Sequence, residues 1–385
     1  MKICIVTTSF PRWTDDHRSL FIYEVANELQ NLGHVVLVIS IHSPGTKRHE
    51  NIGGVEVHRP MYLPSKLEVL QKEDGGITVA WQKHPITKLA IIPFILAQAI
   101  AIIRYSKNYD IIHANWSLSA FSTWLSRPIH RKPYIVTVHG SDVFKGISIP
   151  VVSTLTRICL NSANHVIAVS TELRDALLAL GVKPGKISII SNAVNLSSFH
   201  PSDEKKLNII LFVGNLTESK GIEYLIEAMP TVLQRIKNYR LTIIGDGPQR
   251  RKLEKLAQTL GIQEYIDFIG SQPQTVVSEW MQKSKIFVLP SIYEGFGIVL
   301  LEALASGLPV VGTQVGGIKD IITPEVGALV PPASPESLAN AILDILTNED
   351  RYSQIREQAV PYVRNRFTWK TKVQEIIEIY RKTLS

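Results

Sequence analysis

The chain has 385 residues, which on length alone predicts two domains, and its 45% hydrophobic share excludes a largely disordered polypeptide. Two cysteines, Cys4 and Cys159, exclude a disulfide scaffold and a four-cysteine metal site. The net charge of +7 falls wholly in residues 1–200 (20 basic, 13 acidic), while residues 201–385 balance at 21 against 21. With no helix-turn-helix, zinc-finger or aromatic-basic pattern beside it, that excess points to an anionic membrane surface or a phosphorylated ligand, and no nucleic acid is expected.

Residues 2–7 read as a buried strand with no cleavable signal pattern ahead of it, and residues 20–32 as a helix with Phe21, Val25, Ala26 and Leu29 on one stripe, stopped by Gly33. A second strand follows at residues 35–39. The apolar stretch 89–103 contains Pro93 and Gln98 and is too short to span a bilayer. Strands are predicted at 111–113, 134–138, 165–169 and 187–190, with helices around 120–125, 149–163 and 171–180. After a polar linker near Pro201, the alternation restarts: strands at 207–213, 241–244, 266–269, 286–289 and 310–311 interleave with helices at 221–234, 249–259, 274–282 and 298–306. Helices at 335–346, 352–365 and 371–384 finish the chain. Short apolar strands alternating with helices make an α/β class of two doubly wound units, with a cleft expected between the carboxyl ends of their strands.

Several strand ends suit an anion. The turn from Gly214 and Asn215 to Lys220 and Gly221 puts a lysine near a helix N-terminus. It is not a Walker A loop, and simple turn geometry remains an alternative. Gly245, Asp246, Gly247 and Pro248 form a second glycine turn, where Asp246 reads as a turn former. The run from Ser291 through Glu294, Gly295, Phe296 and Gly297 into the next helix offers unpaired N–H groups near Gly297, Ile298 and Val299 to a diphosphate. Glu302, between Leu301 and Ala303 on an apolar helix, needs a partner, which a sugar diol supplies; a surface carboxylate is the plainer alternative. His139 ends a strand of the first half, either as an ordinary structural histidine or facing a reacting sugar. No nucleophile elbow accompanies Ser9 or Ser141, and no Asp-x-Asp pattern adjoins the diphosphate candidate, so no metal and no cofactor are expected.

Over essentially its whole length the chain resembles the retaining GT-B glycosyltransferases of family 4. The most specific element is Glu294-Gly295-Phe296-Gly297 through Glu302-Ala303, similar to that family's Glu-x7-Glu signature, supported by Gly214, Lys220-Gly221, Gly245-Asp246-Gly247-Pro248, His139-Gly140 and the opening Ser9-Phe10-Pro11. The resemblance implies a GT-B fold, with residues 1–198 as an acceptor-binding Rossmann-like domain, 199–366 as the donor-binding one, and a helix at 369–385 returning to the first. It assigns catalytic contacts to His139, Lys220 and Glu294. Donor contacts fall to Asn215, Gly247, Gly270, Phe296, Gly297, Ile298, Val299 and Glu302, with base selection near Phe268 and Gly270. Arg12, Asp16, His17 and Arg18 are the acceptor candidates. Two departures stand out: Asn215 replaces an arginine common in relatives, and the loop from Pro11 to Ser19 lacks their paired glycines.

The reaction so implied moves a hexose or N-acetylhexosamine from a UDP- or GDP-sugar to a hydroxyl of a lipid-linked or polysaccharide acceptor with retention. The setting expected is cytoplasmic and peripheral on the inner membrane face, with Trp81, Lys83, Lys88 and the 89–103 stretch as the membrane-facing candidates; a buried helix in a soluble enzyme is the plainer alternative for that stretch. A nucleotide-sugar epimerase, a phosphorylase-like enzyme and a noncatalytic nucleotide-sugar-binding protein are the alternatives.

Overall fold

A computed structural model describes the chain except residues 14, 15, 17, 71–84, 141–149, 203 and 205 and the side chains of residues 85, 86 and 88. His17, Trp81 and Lys83, and the side chain of Lys88, therefore lie outside the described residues. The chain divides into two compact units, Met1–Ser191 with Trp369–Ser385, and Asn192–Thr368.

The first unit is built on strands β1 (Lys2–Val6), β2 (Val35–Ile39), β3 (His49–Ile52), β4 (Val55–His58), β5 (Ile111–Asn115), β6 (Tyr134–Val138), β7 (His165–Ala168) and β8 (Ile187–Ile189). They lie in the order β3-β4-β2-β1-β5-β6-β7-β8, parallel except for the β3–β4 hairpin. Strands such as β5 and β6 are buried on both faces because helices cover both sides of a parallel sheet. The hairpin was not foreseen: His49-Glu50-Asn51-Ile52 carries one aliphatic residue in four, as suits an edge strand.

The helix Leu20–Asn31 buries Ile22, Ala26 and Leu29, rotating the expected stripe so that Phe21 and Val25 are only partly covered. The terminal helix Trp369–Leu384 shares that layer, inserting Val373, Ile377 and Tyr380 into the same core. The helix expected at 120–125 runs over Trp116–His130. Its buried face is rich in Ser and Thr, whose hydroxyls donate back to carbonyls one turn earlier (Thr123 to Ser119, 2.8 Å; Ser126 to Ser122, 2.8 Å), and so lacks the apolar period that marks a helix.

In the second unit β9 (Ile209–Val213), β10 (Arg240–Ile244), β11 (Ile266–Gly270), β12 (Ile286–Leu289), β13 (Val310–Thr313) and β14 (Gly327–Val330) form an all-parallel sheet ordered β11-β10-β9-β12-β13-β14. Numbered within the unit this is 3-2-1-4-5-6, the Rossmann order, and its direction reverses between β9 and β12. In the first sheet the reversal falls between β1 and β5. At such points the two neighbouring loops leave in opposite directions and open a crevice at the strands' carboxyl ends.

Candidate active site

At the reversal point of the second sheet, the loop after β9 carries Lys220 and the loop after β12 carries Glu294. Lys220 Nζ donates to Glu294 Oε2 at 2.6 Å, and Ser291 Oγ approaches the same oxygen at 3.4 Å. The two loops are also tied through their backbones, since Ser219 O accepts from the N–H groups of Ile292 (2.8 Å) and Tyr293 (3.2 Å). Both charged side chains are about four-fifths buried or more, with 23% and 13% of their surface exposed, so their attraction is screened less than that of a surface pair. The cation expected to meet a diphosphate is thus paired with a carboxylate of its own chain.

Beside this pair, Gly297 caps the helix Ile298–Ala305 with φ +94, a left-handed conformation that brings the first helical turn up to the loop. No intrahelical carbonyl reaches the N–H groups of Ile298 and Val299, and no described side chain caps them. Phe296 is buried, so its backbone rather than its ring is at the site. Glu302 lies one turn further on. Burial raises its carboxyl to about 7, opposed by a hydrogen bond from the Gln274 side chain.

Asn215 is exposed at the tip of the β9 loop. Three glycine turns stack beside it backbone to backbone: Gly214 N–H donates to Ile244 O, Leu216 N–H to Asp246 O, and Gly245 N–H to Gly270 O, all at 2.9 Å. Gly247 and Gly270 belong to this stack. Arg250, not singled out from sequence, donates to Phe268 O at 3.2 Å and lies near Gly270. Also missed was Gly316-Gly317 after β13: a Cβ at Gly316 would stand 1.6 Å from Glu294 O, and one at Gly317 2.6 Å from Phe296 Cα. Their signal was a glycine pair between a strand and a helix, the same cue that marked the other loops.

The carboxyl edge of the first unit holds His139, Asn115 and Trp116. His139 Nε2 lies 3.0 Å from Asn115 Oδ1. An amide oxygen only accepts, so Nε2 carries the proton and Nδ1 is left with its lone pair, buried and without a partner among the described residues. Burial, followed by the neighbouring His113, lowers the His139 imidazole to about 3, keeping it neutral. Its ring lies between Phe21 and Trp116, with centroids 4.9 Å from each and the planes tilted by 50°. Trp116 has φ +66, strained for a bulky residue, and such strain tends to sit at functional positions.

Within the loop after β1, Arg12 is clamped to Asp16 by Nε–Oδ2 (2.6 Å) and Nη2–Oδ1 (3.1 Å) and lies over the Trp13 ring. Asp16 is held below its usual range despite burial, through hydrogen bonds and charge from Arg12 and the charge of Arg18. Asp16 therefore serves first as the counter-ion of this loop. Arg59, buried and unforeseen, donates to Pro11 O and, at 2.7 Å, to Glu50 Oε1, fixing where the loop begins. Among the described residues no group of three or more His, Cys, Asp or Glu is arranged to hold a metal ion.

Residues 196–360 match the family model described as glycosyl transferases group 1, and residues 19–198 the model of glycosyltransferase family 4. The chain is 30% identical to an uncharacterized glycosyltransferase of Methanocaldococcus jannaschii, with 99% of this chain and 98% of that one covered. It is 26% identical to the phosphatidylinositol N-acetylglucosaminyltransferase gpi3 subunit of Schizosaccharomyces pombe, over 93% and 76%. Among solved structures, sucrose-phosphate synthase from Thermosynechococcus elongatus superposes with TM-score 0.80 at 23% identity, covering 99% and 98%. Anabaena HepE, solved with UDP-glucose, superposes with TM-score 0.77 at 19% identity, covering 99% and 100%. These two likenesses establish the shared GT-B fold.

Proposed function

This chain belongs to the family 4 glycosyltransferases, which carry a sugar from a nucleotide donor to an acceptor hydroxyl, and we propose that it does so with retention at the anomeric carbon. The observation that carries the site assignment is the meeting of Lys220 and Glu294, from the loops after β9 and β12, where the sheet order reverses. A nucleoside diphosphate sugar takes the place of that internal contact: its diphosphate receives Lys220 and the N–H groups of Gly297, Ile298 and Val299, and Glu294 turns to hydroxyls of the sugar. Glu302 accepts from the ribose diol, and the stacked turns of Asn215, Gly247 and Gly270 enclose the nucleoside.

The bond from the anomeric carbon to the diphosphate oxygen breaks, the acceptor oxygen bonds to that carbon on the same face, and the acceptor proton passes to the departing phosphate oxygen. No protein carboxylate becomes covalently attached. Negative charge grows on the leaving diphosphate, where preorganised donors contribute most. His139, neutral and with Nδ1 available to accept, meets a hydroxyl of the transferred sugar, while Arg12, Asp16 and Arg18 border the acceptor.

A UDP- or GDP-linked hexose or N-acetylhexosamine is the donor, a reading supported by the UDP-glucose in the HepE structure. A lipid-linked or polysaccharide hydroxyl is the acceptor, supported on the lipid side by the phosphatidylinositol named for the fission-yeast relative. Thermal-shift screening against nucleotides and nucleotide sugars identifies the donor, because a ligand of the native state raises the melting temperature by mass action. With that donor and an acceptor, Lys220→Ala lowers kcat by about two to three powers of ten, the scale of removing one preorganised donor. Unchanged turnover rejects the assignment of Lys220, and donor binding without acceptor-dependent release of nucleoside diphosphate rejects the transfer reaction.

A further inference from the structure

The helices Ile91–Tyr105, Trp116–His130 and Pro150–Ser162 lie side by side on one face of the first sheet, and their outer surface is apolar. Leu89, Ile92, Leu96 and Ile100 recur at intervals of three or four residues and form one outward stripe, with Leu89 71%, Ile92 64% and Ile100 65% exposed. The middle helix continues it with Leu125 and Ile129 (64%), and the third with Val151 (69%) and Ile158. Isolated exposed aliphatics are ordinary, but a contiguous face over three helices marks an interaction surface.

The charge on this face identifies what covers it. The three helices contain no Asp or Glu, and each carries an exposed arginine: Arg104, Arg127 and Arg157. Between Leu89 and Ala163 the only acid among the described residues is Asp110, whose carboxylate accepts from the Lys2 N–H at the amino ends of β1 and β5. A protein partner ordinarily presents charges of both signs; three helices that carry aliphatics and arginines and no carboxylate of their own complement a medium that is apolar within and negative at its boundary. The helix Ile91–Tyr105 has 15 residues, a length of about 22 Å against a hydrocarbon core of about 30 Å. Among the described residues no helix is long and apolar enough to cross a membrane.

We propose that this three-helix face docks on an anionic lipid bilayer, with the aliphatics of residues 89–100, 125–129 and 151–158 in the acyl boundary and Arg104, Arg127 and Arg157 at the phosphate level. The acceptor reading gives the docking its purpose, but binding is measured without donor, acceptor or turnover, so either idea can fail alone. The full-length protein is sedimented with vesicles of phosphatidylcholine alone and of phosphatidylcholine mixed with phosphatidylglycerol.

Binding is expected to the mixed vesicles and to fall with salt. Leu96→Glu/Ile100→Glu, at exposed positions that leave the core intact, lowers partitioning about tenfold or more. Arg127→Glu removes the preference for phosphatidylglycerol, by about tenfold. Leu260→Glu, an exposed leucine of the second unit, changes neither. Absence of binding to both vesicles, equal binding to both, or binding that survives Leu96→Glu/Ile100→Glu each overturns the proposal. So does a dimer of the wild-type chain that Leu96→Glu/Ile100→Glu dissociates, which makes the face a contact between copies.

Discussion

Burial favours the neutral forms of both Glu302 and His139, raising the one titration and lowering the other. The folded Glu302 carboxyl titrates at about 7, against roughly 4.3 in an unfolded chain. The folded protein therefore holds the extra proton between those values, and the contribution of Glu302 to stability falls as pH rises through that window. Glu302→Gln should stabilise the ligand-free protein by about 3 kcal/mol at pH 8 and hardly at all at pH 4, while weakening donor binding. Denaturant melts at the two pH values check the first part; equal effects at both would remove the buried-carboxyl explanation. For His139, Asn115→Asp sets a carboxylate beside Nε2 and should raise the imidazole pKa from about 3 by about 1–3 units. Activity is then retained at neutral pH and lost on acidification well before the wild type loses it. An NMR titration of the His139 ring that does not move would show that Asn115 does not govern its protonation.

The site's precision comes from loops held by other loops. Glu294 has its position because Gly316 lets the turn after β13 pass against the Glu294 carbonyl. Gly316 also has φ +50, so Gly316→Ala adds backbone strain to a steric overlap and should cost about 1–3 kcal/mol while displacing Glu294. The expected signature is a raised KM for the donor together with a lowered kcat; wild-type kinetics would mean the loop relaxes without moving the carboxylate. The glycine turns and the Glu294–Glu302 spacing were readable from local chemistry. The Lys220–Glu294 contact was not: its partners are 74 residues apart in the chain and meet only because β9 and β12 are neighbours. Arg59 escaped notice for a related reason, since a buried arginine looks in sequence like any surface cation until the carbonyl and carboxylate that satisfy it are in place.

On the scale of the whole molecule, the chain crosses from the second unit back to the first at Thr368, and the returning helix completes a core begun hundreds of residues earlier. Tyr380 Oη lies 2.7 Å from His113 Nδ1, and His113 Nε2 2.7 Å from Thr137 Oγ1, a buried line from the last helix into β5 and β6. Tyr380→Ala should therefore destabilise the first unit by about 3–5 kcal/mol and leave the second unaffected. Hydrogen exchange resolved along the chain separates the units, and protection lost equally in both would contradict the division at Ser191 and Thr368. The alternation of strand and helix, the family and the glycine turns at the strand ends follow from the sequence itself, because each depends on residues close together in the chain and on periods of two and 3.6. Which side chains neutralise one another, which histidine nitrogen keeps its lone pair, and that three acid-free helices share one exposed face were decided by the tertiary structure, because strand order and helix packing bring distant residues within reach of short-range forces.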